Sequence, residues 1–181
     1  MIEVINLTKE RLQNNEQVKV FNSFNLLISH GERVGLFGEN GVGKSTLLDS
    51  IINLDKNFSG IIKTSSDDIA YVHQNTKDTL LPWMTCRDNI FKLLEYKKVA
   101  DLEKKEDLYK KLLGDLNVDF DLSKKPSELS GGQRQMVSFI SNVIQEPDIL
   151  LLDEPTNNLD SDGIRTYYHR TIFHFLPDIL V

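Results

Sequence analysis

The sequence is poor in the features that would assign it to several large classes of protein. Its 181 residues hold a single cysteine, Cys86. No internal disulfide is possible and no cysteine spacing suits a metal, so a reducing compartment is the simplest setting and Cys86 reads as a packing residue. No apolar run approaches the roughly 20 residues needed to cross a bilayer, and the N-terminus lacks the basic segment and hydrophobic core of a secretory leader. Work at a membrane would require another subunit as anchor. Basic charge is not in excess either: 21 Lys and Arg stand against 27 Asp and Glu, a formal charge of −6. That argues against a general nucleic-acid binder, while leaving room for a local basic patch. Internal repeats and low-complexity tracts are missing. The remainder, 40% apolar and 27% charged, is the balance of a globular chain, and its length suits one domain or slightly more.

What is present is organised around Gly38-Glu39-Asn40-Gly41-Val42-Gly43-Lys44-Ser45-Thr46. The apolar run Val34-Gly35-Leu36-Phe37 precedes it, and the helix-like pattern of Leu47, Leu48, Ile51 and Ile52 follows. The spacing G-x-x-x-x-G-K-S, with an extra glycine, suits a strand-to-helix turn whose backbone N–H groups converge on a polyphosphate. A Cβ would block the close backbone approach, and some positions call for positive φ. Lys44 would reach the outer phosphates as a mobile charge and the Ser45 hydroxyl would coordinate Mg²⁺. The plain alternative is a glycine-rich turn with a chance lysine.

Around this loop the chain alternates strands and helices. Ile2–Leu7, Val18–Phe21 and Phe24–Ile28 read as short strands, with a turn at His30-Gly31 and a polar, exposed loop over Arg11–Gln17. A helix is predicted from Lys44 to about Asn53, then strands at 61–63 and 69–73, with Gln74 at the end of the second. From Thr85 to about Lys125, leucines interleaved with dense charge read as a helical insert, and Glu103-Lys104-Lys105-Glu106-Asp107 as solvated helix surface. A further helix carries Met136, Val137, Ile140, Val143 and Ile144 on one face and stops at Pro147. The run Ile149-Leu150-Leu151-Leu152 is continuous enough for a strand buried on both faces of a parallel sheet.

That strand ends in Asp153-Glu154, two carboxylates at the sheet edge where open α/β folds bind ligands. Asp153 is suited to hold Mg²⁺ and Glu154 to orient a water for attack on a γ-phosphate; ordinary exposed acids are the plain alternative. Gln74, closing its own strand, could touch the metal or that water. Leu129-Ser130-Gly131-Gly132-Gln133 opens a helix with two glycines and a serine, a second anion-binding N-terminus with its N–H groups and hydroxyl outward.

Taken together, the phosphate loop, Gln74, Leu129–Gln133, Leu150–Glu154 and Asn158-Leu159-Asp160 occur in the order of the ATP-binding cassette family, which the chain resembles over residues 1 to about 162. The resemblance implies an α/β P-loop NTPase fold with a central mostly parallel sheet, an N-terminal antiparallel β subdomain and a helical insert. The domain expected is a single cassette over 1–181, with its core at about 1–84 and 126–181 and its insert at about 85–125. It implies ATP and Mg²⁺ as cofactors, and an ATPase that acts as the nucleotide-binding subunit of a transporter. Gly38, Asn40, Gly41, Gly43, Lys44, Ser45 and Thr46 would bind nucleotide in one copy, and Ser130, Gly131, Gly132 and Gln133 would close it from a second copy in a head-to-tail dimer. Ser45, Gln74 and Asp153 would hold the metal; Glu154, Gln74 and Lys44 would serve catalysis. The implied partners are that second subunit and an integral membrane subunit, with no nucleic acid, at the cytoplasmic face of the cell membrane. Asp160 is similar to the family's dimer-contact loop, or is an N-cap, or both.

Leu80-Leu81-Pro82-Trp83-Met84-Thr85 is similar to what ATPase subunits of nitrate, sulfonate and taurine importers carry, with Trp83 either an interface anchor or a core-packing residue. Two departures accompany the resemblance. The family's adenine-stacking aromatic aligns near Arg11, which could stack by its guanidinium plane, and Phe21 is another candidate, so the adenine contact stays open between them. Few residues follow Asp160, and His169 and His174 come too soon for the family's γ-phosphate histidine, while Ile164, Tyr168, Ile172 and Phe175 look like the helix after the dimer loop, ended by Pro177. The expectation is a cassette without its switch histidine and last sheet elements, either a truncation or one with impaired hydrolysis. Outside transport, a soluble cassette acting on ribosomes or DNA, or a module that binds but poorly hydrolyses ATP, are the other readings.

Overall fold

A computed structural model describes residues 1–13, 16–75, 79–97, 101–155 and the backbone of 179–180. The described residues form two sheets. One is antiparallel, ordered β2-β1-β4, from β1 (Ile2–Gln13), β2 (Glu16–Ile28) and β4 (Ser59–Thr64). The other is parallel, ordered β3-β7-β6-β5, from β3 (Arg33–Val34), β5 (Ile69–Val72), β6 (Ile149–Leu152) and β7 (Ile179–Leu180). Helices α1 (Lys44–Ile51), α2 (Cys86–Tyr96), α3 (Leu102–Asp115) and α4 (Gly131–Val143) connect and cover them. This is the mixed α/β architecture expected, with α2 and α3 inside the segment read as a helical insert.

Strand β6 divides the interior. All its residues are buried, and successive side chains point to opposite faces. Leu150 and Leu152 enter a core built with α2, α3 and α4, around Ile90, Leu112, Val137 and Ile140. Ile149 and Leu151 enter a second core with β1 and α1, around Val4, Leu7, Leu48 and Ile51. Each such side chain withdrawn from water contributes about 1.5–3 kcal/mol, so one strand anchors both halves and its carboxyl end is held rigidly. Cys86 is wholly buried in the helical core, and burial pushes its thiol up to about 11, as suits a packing residue.

Several boundaries differ from expectation. The predicted polar loop at Arg11–Gln17 is largely strand: Arg11 pairs with Val18, Leu12 with Gln17 and Gln13 with Glu16. Backbone ladder bonds sustain this ribbon where side-chain polarity suggested a loop. The ladder is interrupted at Asn6, whose φ is +51°, by an irregularity between Val4 and Leu7; the inward face passes from Ile2 and Val4 to Leu7 and Lys9. Helix α1 stops earlier than predicted because Asn53 takes a left-handed conformation, φ +58°, which ends helices. The charge run in α3 is not all surface. Lys105 is only 6% exposed, and its Nζ pairs with Glu146 at 2.5 Å, because its stem packs while its charge meets an acid. Trp83 is 68% exposed beside Pro82. The predicted Asn158–Asp160 loop, the helix pattern from Ile164 to Phe175, His169, His174 and Pro177 lie outside the described residues.

Candidate nucleotide site

The loop between β3 and α1 is shaped by left-handed glycines. Gly41 has φ +82° and Gly43 has φ +115°, and Val42 N–H closes a turn onto the Glu39 carbonyl at 3.3 Å. At Gly43 packing adds to the backbone requirement, since a Cβ there would sit 2.6 Å from Val20 Cγ1 and 3.1 Å from Phe21 Cζ. The ribbon of β2 therefore lies directly against the loop. Gly43 is also the N-cap of α1 and has no side chain with which to cap it, so its first N–H groups are available to the site. Lys44 Nζ donates to the carbonyls of Gly38 at 2.8 Å and Glu39 at 3.1 Å, a crown over the loop that brings its charge to the phosphate cradle. Asn40 is exposed on the same loop and Thr46 half-buried after it.

From the other side, β6 delivers its two acids. Asp153 is only 7% exposed. Its Oδ1 accepts from the Ser45 hydroxyl at 3.0 Å and its Oδ2 from the Tyr71 hydroxyl at 3.3 Å, while its backbone N–H continues the sheet ladder to Val72 at 2.9 Å. Burial, then the charges of Asp153 and Asp49, drive the Tyr71 hydroxyl well above its usual range, so it stays protonated and donates. Burial likewise raises Asp49, against the lowering hydrogen bond from Tyr71. Glu154 has φ +46°, a conformation costing a non-glycine residue about 1–3 kcal/mol. It turns the carboxylate to the Gln74 amide, whose Nε2 donates to Glu154 Oε2. A cavity of about 140 Å³ is lined by Gly41, Gly43–Thr46, Glu154 and, from β1, Arg11.

Sequence-predicted residues thus divide into two groups. The structure brings together the loop, Lys44, Ser45, Gln74, Asp153 and Glu154. It keeps Ser130, Gly131, Gly132 and Gln133 out of that cavity. Ser130 caps α4, its Oγ accepting from Gln133 N–H at 3.2 Å while Gln133 Oε1 accepts from Ser130 N–H at 3.0 Å. The hydroxyl oxygen predicted to face outward is engaged within its own helix; a hydroxyl that accepts there can still donate its proton. Sequence reasoning missed Tyr71 and Asp49. The available signals were a tyrosine inside a buried strand, whose O–H needs a partner, and Asp49 four residues after Ser45 on one helix face.

A glycine loop on a sheet edge, a lysine crown over it and a strand-end acid tied to the loop serine define a P-loop nucleoside-triphosphate site. A family model described as ABC transporter matches residues 21–157. Among relatives, the lipoprotein-releasing system ATP-binding protein LolD of Geobacter metallireducens is 33% identical over 88% of this chain and 77% of its own length. The sn-glycerol-3-phosphate import ATP-binding protein UgpC of Bartonella bacilliformis is 35% identical over 88% of this chain, but only 48% of its own length. Among solved structures, the dimeric structure of MJ0796, a bacterial ABC transporter cassette, superposes with a TM-score of 0.84 at 27% identity, covering 100% of this chain and 87% of that one. A post-hydrolysis dimer of the same cassette, bound to ADP and Pi, gives 0.81 at 26% identity, covering 100% and 88%. The chain belongs to the ABC transporter family and is one of its ATP-binding, ATP-hydrolysing cassettes.

Proposed function

We propose that this chain powers a membrane transporter as one of two nucleotide-binding subunits, paired head to tail. The observation that carries the reading is the separation of the two anion-binding helix ends. The loop of one copy has the cavity, the lysine and both acids, whereas Ser130–Gln133 stands outside that cavity and has no phosphate to meet within its own chain. A second copy, inverted, supplies each end with the other. The dimeric relatives of known structure support this pairing.

In this reading Gly38, Asn40, Gly41, Gly43 and Thr46 shape and extend the phosphate cradle, and Lys44 exchanges its loop carbonyls for phosphate oxygens. Ser45 Oγ and Asp153 Oδ1, converging at 3.0 Å, are the hard oxygen donors that Mg²⁺ prefers, and Gln74 Oε1 is a third. The ion would neutralise charge on the outer phosphates. Glu154, held by Gln74, orients the attacking water and takes up its proton. Among the described residues no helix is long and apolar enough to cross a membrane, so attachment falls to a separate membrane subunit, with exposed Trp83 and Pro82 a surface suited to it.

Glu154→Gln separates closure from hydrolysis. With saturating ATP and Mg²⁺, analytical ultracentrifugation should show this variant as a dimer that persists, while the parent returns to monomer as ATP is consumed. A variant that stays monomeric, or that turns over ATP at the parent rate, would sink the assignment.

A further inference from the structure

We infer that Tyr71 is a positioning residue for the metal ion: its hydroxyl holds Oδ2 of Asp153, so that Oδ1 stays turned toward Ser45. The inference rests on the nucleotide-site reading above and concerns what keeps its acid in place. Strands β5 and β6 pair in parallel with Tyr71 beside Leu151, and Asp153, two residues further along, shares the face of Leu151. The phenol reaches along that face to the acid. Its hydroxyl donates to Asp153 Oδ2 at 3.3 Å, while the Ser45 hydroxyl donates to Oδ1 at 3.0 Å. Each carboxylate oxygen has its own donor, which fixes the group against rotation about its last bond.

The hydroxyl is itself held. Asp49, one turn after Ser45 on α1, shares a hydrogen bond with it, and the ring packs on His73 with centroids 4.0 Å apart. Helix α1 therefore grips Asp153 twice, at Oδ1 through Ser45 and at Oδ2 through Asp49 and Tyr71. Packing alone does not call for this oxygen: the ring lies half-buried against the core of β1 and α1, where a phenylalanine would fill the same space. A buried phenol needs a partner, and both partners here are carboxylates beside the phosphate cradle. An ion held by Ser45 and Oδ1 would draw on the bond between them. The Tyr71 bond lies on the other oxygen, so it remains to orient the ligand, as hydrogen bonds behind a metal-binding carboxylate do.

Two affinities would be measured on the parent, Tyr71→Phe, Asp49→Ala, Asp49→Asn and Asp153→Asn: that for ATP in EDTA, by isothermal titration, and that of the protein–ATP complex for Mn²⁺, from the loss of the free-ion EPR signal. Asp153→Asn should lower Mn²⁺ affinity most, because it alters a ligand. Tyr71→Phe should weaken Mn²⁺ by about tenfold, the loss of one hydrogen bond to a charged group, and leave metal-free ATP within about threefold of the parent. Asp49→Ala should weaken Mn²⁺ by about threefold, and Asp49→Asn, which keeps a side chain able to bond the phenol, should restore it. If Tyr71→Phe lost metal-free ATP and Mn²⁺ equally, the hydroxyl would be serving the fold and the inference would be wrong. Should Tyr71→Phe fail to fold, Asp49→Ala leaves β5 and Asp153 unaltered, and parent Mn²⁺ affinity there would overturn the inference. Parent Mn²⁺ affinity in Tyr71→Phe and Asp49→Ala, with Asp153→Asn impaired, would defeat the inference alone; parent affinity in Asp153→Asn as well would take the metal from that acid and defeat the site reading itself.

Discussion

Two helix N-termini in this molecule look alike in sequence and differ in structure. Helix α1 begins at Gly43, left-handed, with no side chain capping it. Helix α4 begins at Ser130, in extended conformation, with a reciprocal capping box to Gln133. Both carry the partial positive charge of a helix start. At α1 the N-cap offers no side-chain acceptor to the first amides, so a polyphosphate can replace water at a site already shaped for it. At α4 the chain satisfies part of its own need and stays stable without a ligand. The difference separates a cradle that is complete in shape but incomplete in charge from a surface that is complete alone and becomes a cradle only when something is pressed against it.

The largest effect should come from removing the charge that defines the open end. Lys44→Ala deletes two bonds to loop carbonyls and the cation for the phosphates. Charge-assisted hydrogen bonds contribute about 1.5–3 kcal/mol each, so ATP affinity measured by titration should fall by about 100-fold or more. Affinity within about threefold of the parent would mean that the amides alone hold the ligand.

Gly43→Ala tests the shape of that end. An alanine at φ +115° is strained, and its Cβ meets Val20 at 2.6 Å, so the ribbon of β2 must retreat. Stability in urea unfolding should drop by about 1–3 kcal/mol, and nucleotide binding should fall with it. A variant as stable as the parent would show that the contact between β2 and the loop is easily given up.

The open end was legible in the sequence because its requirements are local: glycines for the turn, a lysine and a serine at fixed spacing, apolar runs before and after. The strand that ends in Asp153 was legible for a similar reason, since Ile149–Leu152 offers no polar face. What the sequence hid is what depends on partners distant along the chain. The ribbon over Arg11–Gln17 is strand because Val18 and Gln17 lie across from Arg11 and Leu12, a fact its polar composition conceals. Lys105 is buried because Glu146 waits for it 41 positions later. Tyr71 joins the site through the hydroxyl contact to Asp153, 82 positions away. The capping role of Ser130 and Gln133 sits in the spacing S-x-x-Q, and the two glycines between them suit the approach of a phosphate as well.

At the self-capped end effects on the isolated chain should be smaller. Ser130→Ala removes the acceptor for Gln133 N–H, and loss of an N-cap costs about 0.5–2 kcal/mol. ATP affinity of the monomer should be unchanged, since Ser130 is outside the loop cavity. The dimer that Glu154→Gln accumulates should be lost when Ser130→Ala is added, as read by ultracentrifugation. A dimer of undiminished strength would leave α4 with a structural role only.

Gln133→Ala should have the smallest effect, and it sharpens the contrast most. It removes only the half of the capping box in which Gln133 Oε1 accepts from Ser130 N–H; the other half survives, because the Gln133 donor to Ser130 Oγ is backbone. The expected loss of stability is about 0.5 kcal/mol, at the low end for a cap. Its effect on dimerisation then depends on which function the box serves. If α4 is a phosphate surface, freeing Ser130 N–H adds a donor facing the partner, and the dimer in the Glu154→Gln background should hold within about threefold. If instead the box is what orients Ser130, both substitutions should weaken the dimer alike. Equal losses for Ser130→Ala and Gln133→Ala would therefore show that α4 contributes a shape, and a loss confined to Ser130→Ala would show that it contributes a hydroxyl.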